Sequence, residues 1–163
     1  MGELNNVAME HQHEDQWCWA AVTQAVCQCF GDNASQEDIV SRTVSNPNCA
    51  AGPDSCDSPS PLRFALQTMG PLDSINPVMS FADEQQQIDV LARPLAVGIE
   101  FSGPSGPTGH YVLIKGFDTV GDISHVTVLD PAPDNGPESH LAYDGLRSGL
   151  TLGGPWTQSF TER

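Results

Sequence analysis

Apolar and polar positions change their rhythm about halfway along this chain. Between 17 and 30 the apolar residues recur at helical spacing: counted from Cys18, the positions Ala21, Val22, Ala25 and Cys29 share one face. Gly31 then suits a helix stop. Ser35-Gln36-Glu37-Asp38 has the spacing of a capping box and predicts a short helix to about Val44. Residues 45–60, with four glycines and prolines and two cysteines among them, read as loop. Ser60-Pro61 puts proline at the start of a third helix that ends at Gly70, and Ser80 to Ala92 reads as a fourth, broken by Arg93-Pro94. Beyond that point the pattern alternates or runs apolar in short stretches: Leu95–Phe101, His110–Phe117, Ile123–Leu129 and His140–Leu146 read as strands. Gly121-Asp122 is a tight hairpin connection. A helical half over about 1–93 and a sheet half over about 94–163 predict an α+β fold in one domain, 1–163.

Composition agrees with that reading. A chain of 163 residues can bury about two-thirds of its unfolded surface. Its 39% hydrophobic content, 15 Gly and 13 Pro imply many loops ordered by turn chemistry. No apolar run is long enough to span a membrane. The first ten residues hold Glu3 and Glu10 and do not read as a secretory signal, so the chain is either mature or a domain cut from a longer protein behind an added Met-Gly. A net charge of −15 with six Lys and Arg excludes a general nucleic-acid surface. The acidity serves solubility or a preference for basic partners.

The densest chemistry lies at Gln12-His13-Glu14-Asp15-Gln16-Trp17-Cys18-Trp19-Ala20-Ala21. Cys18 opens the first helix, where unpaired N–H groups and the positive end of the dipole favour thiolate. Gln12, six residues upstream, can aim its side-chain amide at an oxygen that becomes negative when the thiolate attacks a carbonyl. His110, in Gly109-His110-Tyr111-Val112-Leu113-Ile114, and Asp130, closing Val126-Thr127-Val128-Leu129-Asp130-Pro131, supply a base and an orienting carboxylate.

Gln-x5-Cys-Trp-Ala-Ala, Gly-His-Tyr on one strand and Val-x-Val-x-Asp-Pro on the next resemble the papain-like cysteine peptidases. Among them the closest likeness is to the compact bacterial branch, the double-glycine leader peptidases and the papain-like effector proteases of plant pathogens. The motifs cover about the first 30 residues and 109–131. The resemblance implies a papain-like arrangement, with an active cleft where the Cys helix meets an antiparallel sheet. It implies Cys18 as nucleophile, His110 as general base and acid, Asp130 as the imidazole's orienting partner and Gln12 as oxyanion donor. Such chemistry requires no cofactor. Many relatives carry Asn as the third member; Asp fits the compact branch.

Other features carry less. His11 and His13 flank Gln12 but lie two apart in a loop with no Cys pair nearby, so no metal site is expected there. His125 and His140 have no evident partner. Trp17 and Trp19 read as packing around the start of the Cys helix. The Gly/Pro-rich segment 102–109 either shapes a cleft rim or simply joins two strands. Gly153-Gly154-Pro155 reads as a turn, since proline after a scissile bond hinders cleavage.

Apart from Cys18, four cysteines remain: Cys27, Cys29, Cys49 and Cys56. An even remainder suits two disulfides pinning the Pro-rich loop to the back of the Cys helix, with maturation in an oxidising compartment. Cys27 and Cys29 cannot readily pair, because two helical steps turn side chains about 200° apart. Four reduced thiols in a cytoplasmic or cytosol-delivered protein, or a metal held by four thiolates, are the alternatives.

Three functions fit: a secreted or delivered effector or toxin endopeptidase acting on protein or peptide, with an inhibitor or immunity protein as its restraining partner; a leader-peptide-processing peptidase; or a transferase, amidase or deamidase using the same thioester chemistry. A non-catalytic binding module does not fit four intact catalytic positions.

Overall fold

The computed structural model describes residues 2–50, 56–101, 108–132 and 138–163. The helical half begins, after a two-residue strand β1 (Gly2–Glu3), with α1 (Cys18–Cys29), α2 (Gln36–Thr43) and α3 (Leu62–Met69). Ser35 caps α2, its hydroxyl accepting from the Asp38 N–H as the capping spacing predicts. Gly70 ends α3 in the left-handed region at φ 103°, and Gly31 follows α1 at φ 86°. Pro61 is the cap of α3 and Leu62 its first helical residue, one position later than expected. The fourth helix is α4 (Phe81–Gln85), which loosens into a π-helical turn over Gln86–Val90.

Six further strands follow: β2 (Leu72–Asn76), β3 (Leu95–Phe101), β4 (Thr108–Val120), β5 (Ile123–Leu129), β6 (Glu138–Ala142) and β7 (Trp156–Glu162). They pair antiparallel in the order β2-β7-β3-β4-β5-β6, with β1 pairing the far end of β4 through Gly2↔Phe117. The fold is α+β, with helices packed on an antiparallel sheet.

Two elements depart from the sequence reading. The expected strand 140–146 stops at Ala142, and the chain turns into a helix, α5 (Tyr143–Ser148), ended by Gly149 at φ 90°. The sheet also gains β2 and β7, the latter slotted between β2 and β3. Gly153-Gly154-Pro155 is the connection into β7. A Cβ on Gly154 would stand 2.3 Å from the Glu100 carbonyl oxygen, so this backbone packs against β3 too closely for a side chain. Segment 102–107 lies outside the described residues.

α1 is more enclosed than a one-faced helix. Every residue from Cys18 to Cys27 is buried, beneath α2, α3 and β4. Trp17 and Trp19, 0% and 1% exposed, pack at its start. Their indole N–H groups donate to the carbonyls of Cys56 (3.0 Å) and Ser58 (3.0 Å), so the buried rings leave no unpaired donor.

The cysteine expectation needs correcting. One bridge forms among the described residues, Cys49–Cys56, with 5.6 Å between Cα atoms, while Cys18, Cys27 and Cys29 are free thiols. Cys49 and Cys56 satisfy each other within their own loop. Cys27 is then left inside the core and Cys29 accepts from the Asn6 side chain at 3.6 Å. The bridge closes the loop on itself; the two tryptophans, not a second disulfide, fasten that loop to the Cys helix. Denatured, non-reduced protein is therefore expected to weigh two hydrogens less than the reduced chain and to take up three alkyl groups. A deficit of four hydrogens with one alkylatable thiol would contradict the structure.

Candidate active site

α1 carries Cys18 at its first position with no side chain capping the helix; the Ala20 and Ala21 N–H groups donate to the Trp17 carbonyl (3.1 and 3.0 Å), while those of Cys18 and Trp19 precede the first intrahelical bond. β4 brings His110 to the same place. Hairpin pairing with β5 (Leu113↔Leu129) and with β3 (Ile99↔His110) sets His110 beside Asp130, the residue directly after β5. His110 Nε2 lies 2.8 Å from Asp130 Oδ1. The same carboxylate oxygen accepts from the Ala132 N–H at 2.9 Å, and Asp130 is 3% exposed. With Nε2 committed to Asp130, Nδ1 is the ring nitrogen left for Cys18. Burial alone would lower the His110 pKa, but hydrogen bonds to Asp130 and Cys18 and the charges of both outweigh it and raise it to about 9.

A cleft of about 370 Å³ is lined by Cys18, His110, Gln12, Trp19, Pro61 and Tyr111 among others. Three of the four residues singled out in the sequence, Gln12, Cys18 and His110, thus line one opening between α1 and the sheet, and Asp130 reaches it through its bond to His110. Tyr111 and the Pro59-Ser60-Pro61 wall were not expected there; no sequence spacing marks them, and the packing of both α3 and β4 against α1 brings them to the cleft.

Gln12 is held from both sides. Its backbone N–H donates to the Pro131 carbonyl at 2.9 Å, tying its loop to the residue after Asp130. Its side-chain nitrogen donates to the carbonyls of Glu14 (3.1 Å) and Asp15 (2.7 Å), while Oε1 is buried with no hydrogen-bond partner among the described residues. The amide therefore borders the cleft with its donor turned toward its own loop.

Gln36, fully buried on α2, brackets Gln12. It accepts from the His13 N–H at 2.9 Å and donates to the His11 carbonyl at 2.8 Å and to Gln24 Oε1 at 3.1 Å. Gln24 in turn donates to Glu10 at 3.1 Å. His13 spans Glu10 and Glu37 with its two ring nitrogens; burial opposes its proton, but both carboxylates together raise its pKa. This clamp escaped the sequence reading because a glutamine in the first turn of a polar helix gives no sign that it is buried. Gln36→Met keeps the volume and removes the clamp, and is expected to lower kcat by up to roughly 10²-fold, as Gln12→Ala should. Steady-state kinetics beside a thermal melt checks this: a lower melting temperature, from the His13 N–H, His11 carbonyl and Gln24 Oε1 left without their partner, and a fall in kcat measured well below that melt are the expected results.

Comparison with known proteins agrees with the geometry. The Peptidase C39-like family matches residues 4–149. The structure of the peptidase domain of Streptococcus ComA, a bi-functional ABC transporter involved in a quorum-sensing pathway, superimposes with a TM-score of 0.61 at 14% identity, covering 96% of this chain and 97% of that domain. No curated protein matches the sequence. The family match takes in the Cys helix, the His strand and the Asp that follows the next strand, and the chain belongs to the Peptidase C39-like family, as a papain-like cysteine peptidase.

Proposed function

We propose that this chain is an endopeptidase working through Cys18, His110 and Asp130, with Gln12 as oxyanion donor. The observation that carries the reading is the 2.8 Å His110–Asp130 bond on a ring that lines the same cleft as Cys18, beside an uncapped helix start. Cys18 gives its proton to His110 and attacks the peptide carbonyl carbon as thiolate, forming the C–S bond as the C=O electrons move to oxygen. The Cys18 backbone N–H holds that oxyanion, and Gln12 joins it by exchanging one of its loop acceptors for the substrate oxygen. As the C–N bond breaks, the proton on His110 passes to the leaving amine. His110 then takes a proton from water, whose oxygen attacks the thioester; the acid product leaves and the proton returns to Cys18. Asp130, bonded to Nε2, keeps Nδ1 facing the sulfur throughout.

Profiling of new peptide N-termini in a proteome treated with the intact chain or with Cys18→Ala tests the reading. Termini present only with the intact chain, clustered on a common sequence, are expected. Their absence, with side-chain amide hydrolysis instead, would show a deamidase.

A further inference from the structure

We propose that Asp118, His125 and His140 form a binding site for a borderline divalent cation, Zn²⁺ foremost, on the outer face of the sheet at its β6 edge. None of the three belongs to the cleft. Asp118 and His110 lie eight residues apart on β4, roughly 26 Å along an extended strand.

Strand register builds the cluster. The hairpin through Gly121-Asp122 sets Asp118 directly opposite His125, and β5–β6 pairing sets His125 against Ala142 and Thr127 against His140. His140 is therefore the diagonal neighbour of His125 on one face. Val126 and Val128 are buried, so His125 and its partners take the opposite, outward side. One donor atom from each of Asp118, His125 and His140 lies within 4.8 Å of the other two. The two imidazoles stack with centroids 4.6 Å apart and planes 8° from parallel.

The hydrogen bonds leave the right atoms for a metal. His125 Nδ1 is engaged by its neighbour's backbone, 3.1 Å from the Ile123 carbonyl, which fixes the ring and leaves Nε2 as donor. His140 Nε2 lies 2.7 Å from Asp118 Oδ1. A cation takes the place of the proton in that bond, and the His140 ring then carries its proton on Nδ1. Two imidazoles and one carboxylate suit Zn²⁺ over Mg²⁺ or Ca²⁺, which prefer all-oxygen shells. Ligands in a tetrahedral zinc shell stand roughly 3.3 Å apart. His140 is exposed, which leaves its side chain room to turn toward that spacing. Water completes the shell. A bound ion would tie the edge strand β6 to β5 and β4.

The test is calorimetric titration of Zn²⁺ into the Cys18→Ala chain, which removes the cleft sulfur as a competing ligand. One saturable equivalent is expected, weakened by more than about tenfold in His125→Ala and again in His140→Ala. No saturable binding, or binding unchanged in His140→Ala, overturns the proposal. With Cys18 restored, both variants should be alkylated at Cys18 at the unsubstituted rate, showing that the fold is kept. Imidazole proton resonances of the chain without histidine substitutions give a second reading that needs no variant. Zn²⁺ should move those of His125 and His140 and leave His11, His13 and His110 in place; the reverse pattern places the ion elsewhere and overturns the site.

Discussion

His110→Ala is expected to lower kcat by roughly 10⁴- to 10⁶-fold with little change in KM. In the proposed mechanism the ring does three things that alanine cannot: it accepts the Cys18 proton, delivers it to the leaving amine and activates water for deacylation. The same proposal leaves substrate binding to the cleft walls, which include Trp19, Pro61 and Tyr111. The pH profile refines the expectation. His110 holds its proton up to about pH 9, so activity that depends on the imidazolium is lost as pH rises through that value. Asp130→Asn removes the carboxylate that most strongly opposes the effect of burial on His110, and should move this alkaline limb to lower pH as well as slowing turnover. The same raised pKa is a stability statement. The contribution of His110 is fully present below the unfolded value of 6.5 and is lost as pH rises through about 9. Peptide hydrolysis from pH 5 to 10 by the unsubstituted, His110→Ala and Asp130→Asn chains checks the set.

Glu84→Gln is expected to stabilise the fold at alkaline pH by several kcal/mol, on the order of 3–5. Glu84 sits on α4 at 0% exposure, and neither carboxylate oxygen has a hydrogen-bond partner among the described residues. Burial pushes its carboxyl from about 4.5 up to about 8. Between those values the folded chain holds a proton that the unfolded chain has released. The contribution of Glu84 is therefore most favourable below about pH 4.5 and is lost as pH rises toward 8, the reverse of a salt-bridged carboxylate. Glutamine keeps the shape and removes the titration. Urea unfolding at pH 5 and pH 8 should show a loss between them that shrinks in Glu84→Gln; equal losses in both proteins would place the pH dependence elsewhere.

The sequence made legible what repeats at short range. α1 shows itself through apolar residues at helical spacing, β3 through a continuous apolar run and the β4–β5 hairpin through its Gly-Asp turn; these elements carry Cys18 and set His110 beside Asp130. Illegible parts have weak or contradictory local signals. β2 reads Leu72-Asp73-Ser74-Ile75-Asn76 and is mostly exposed at the sheet edge, so alternation fails there. β7 buries Ser159, Thr161 and Glu162, polar residues that a hydrophobic pattern assigns to the surface. Leu141, Tyr143 and Leu146 fit a strand at the first step and a helix at the second, and α5 follows the second. The orientation of the Gln12 amide and the clamp around it depend on Gln36 being buried by tertiary packing. The His125–His140 pair depends on a register between β5 and β6 that no local spacing encodes.

Competition between thiols for iodoacetamide at about pH 6 tests the ion pair at the centre of this account most directly. Burial pushes the Cys27 thiol up to about 12 and raises that of Cys29, so neither should react at that pH, and Cys49 and Cys56 are bridged. Cys18, whose proton His110 can take, should be labelled first and alone, and His110→Ala should slow that labelling sharply. Equal labelling of Cys18 in the unsubstituted and His110→Ala proteins would contradict the pairing of the two residues and with it the proposed chemistry.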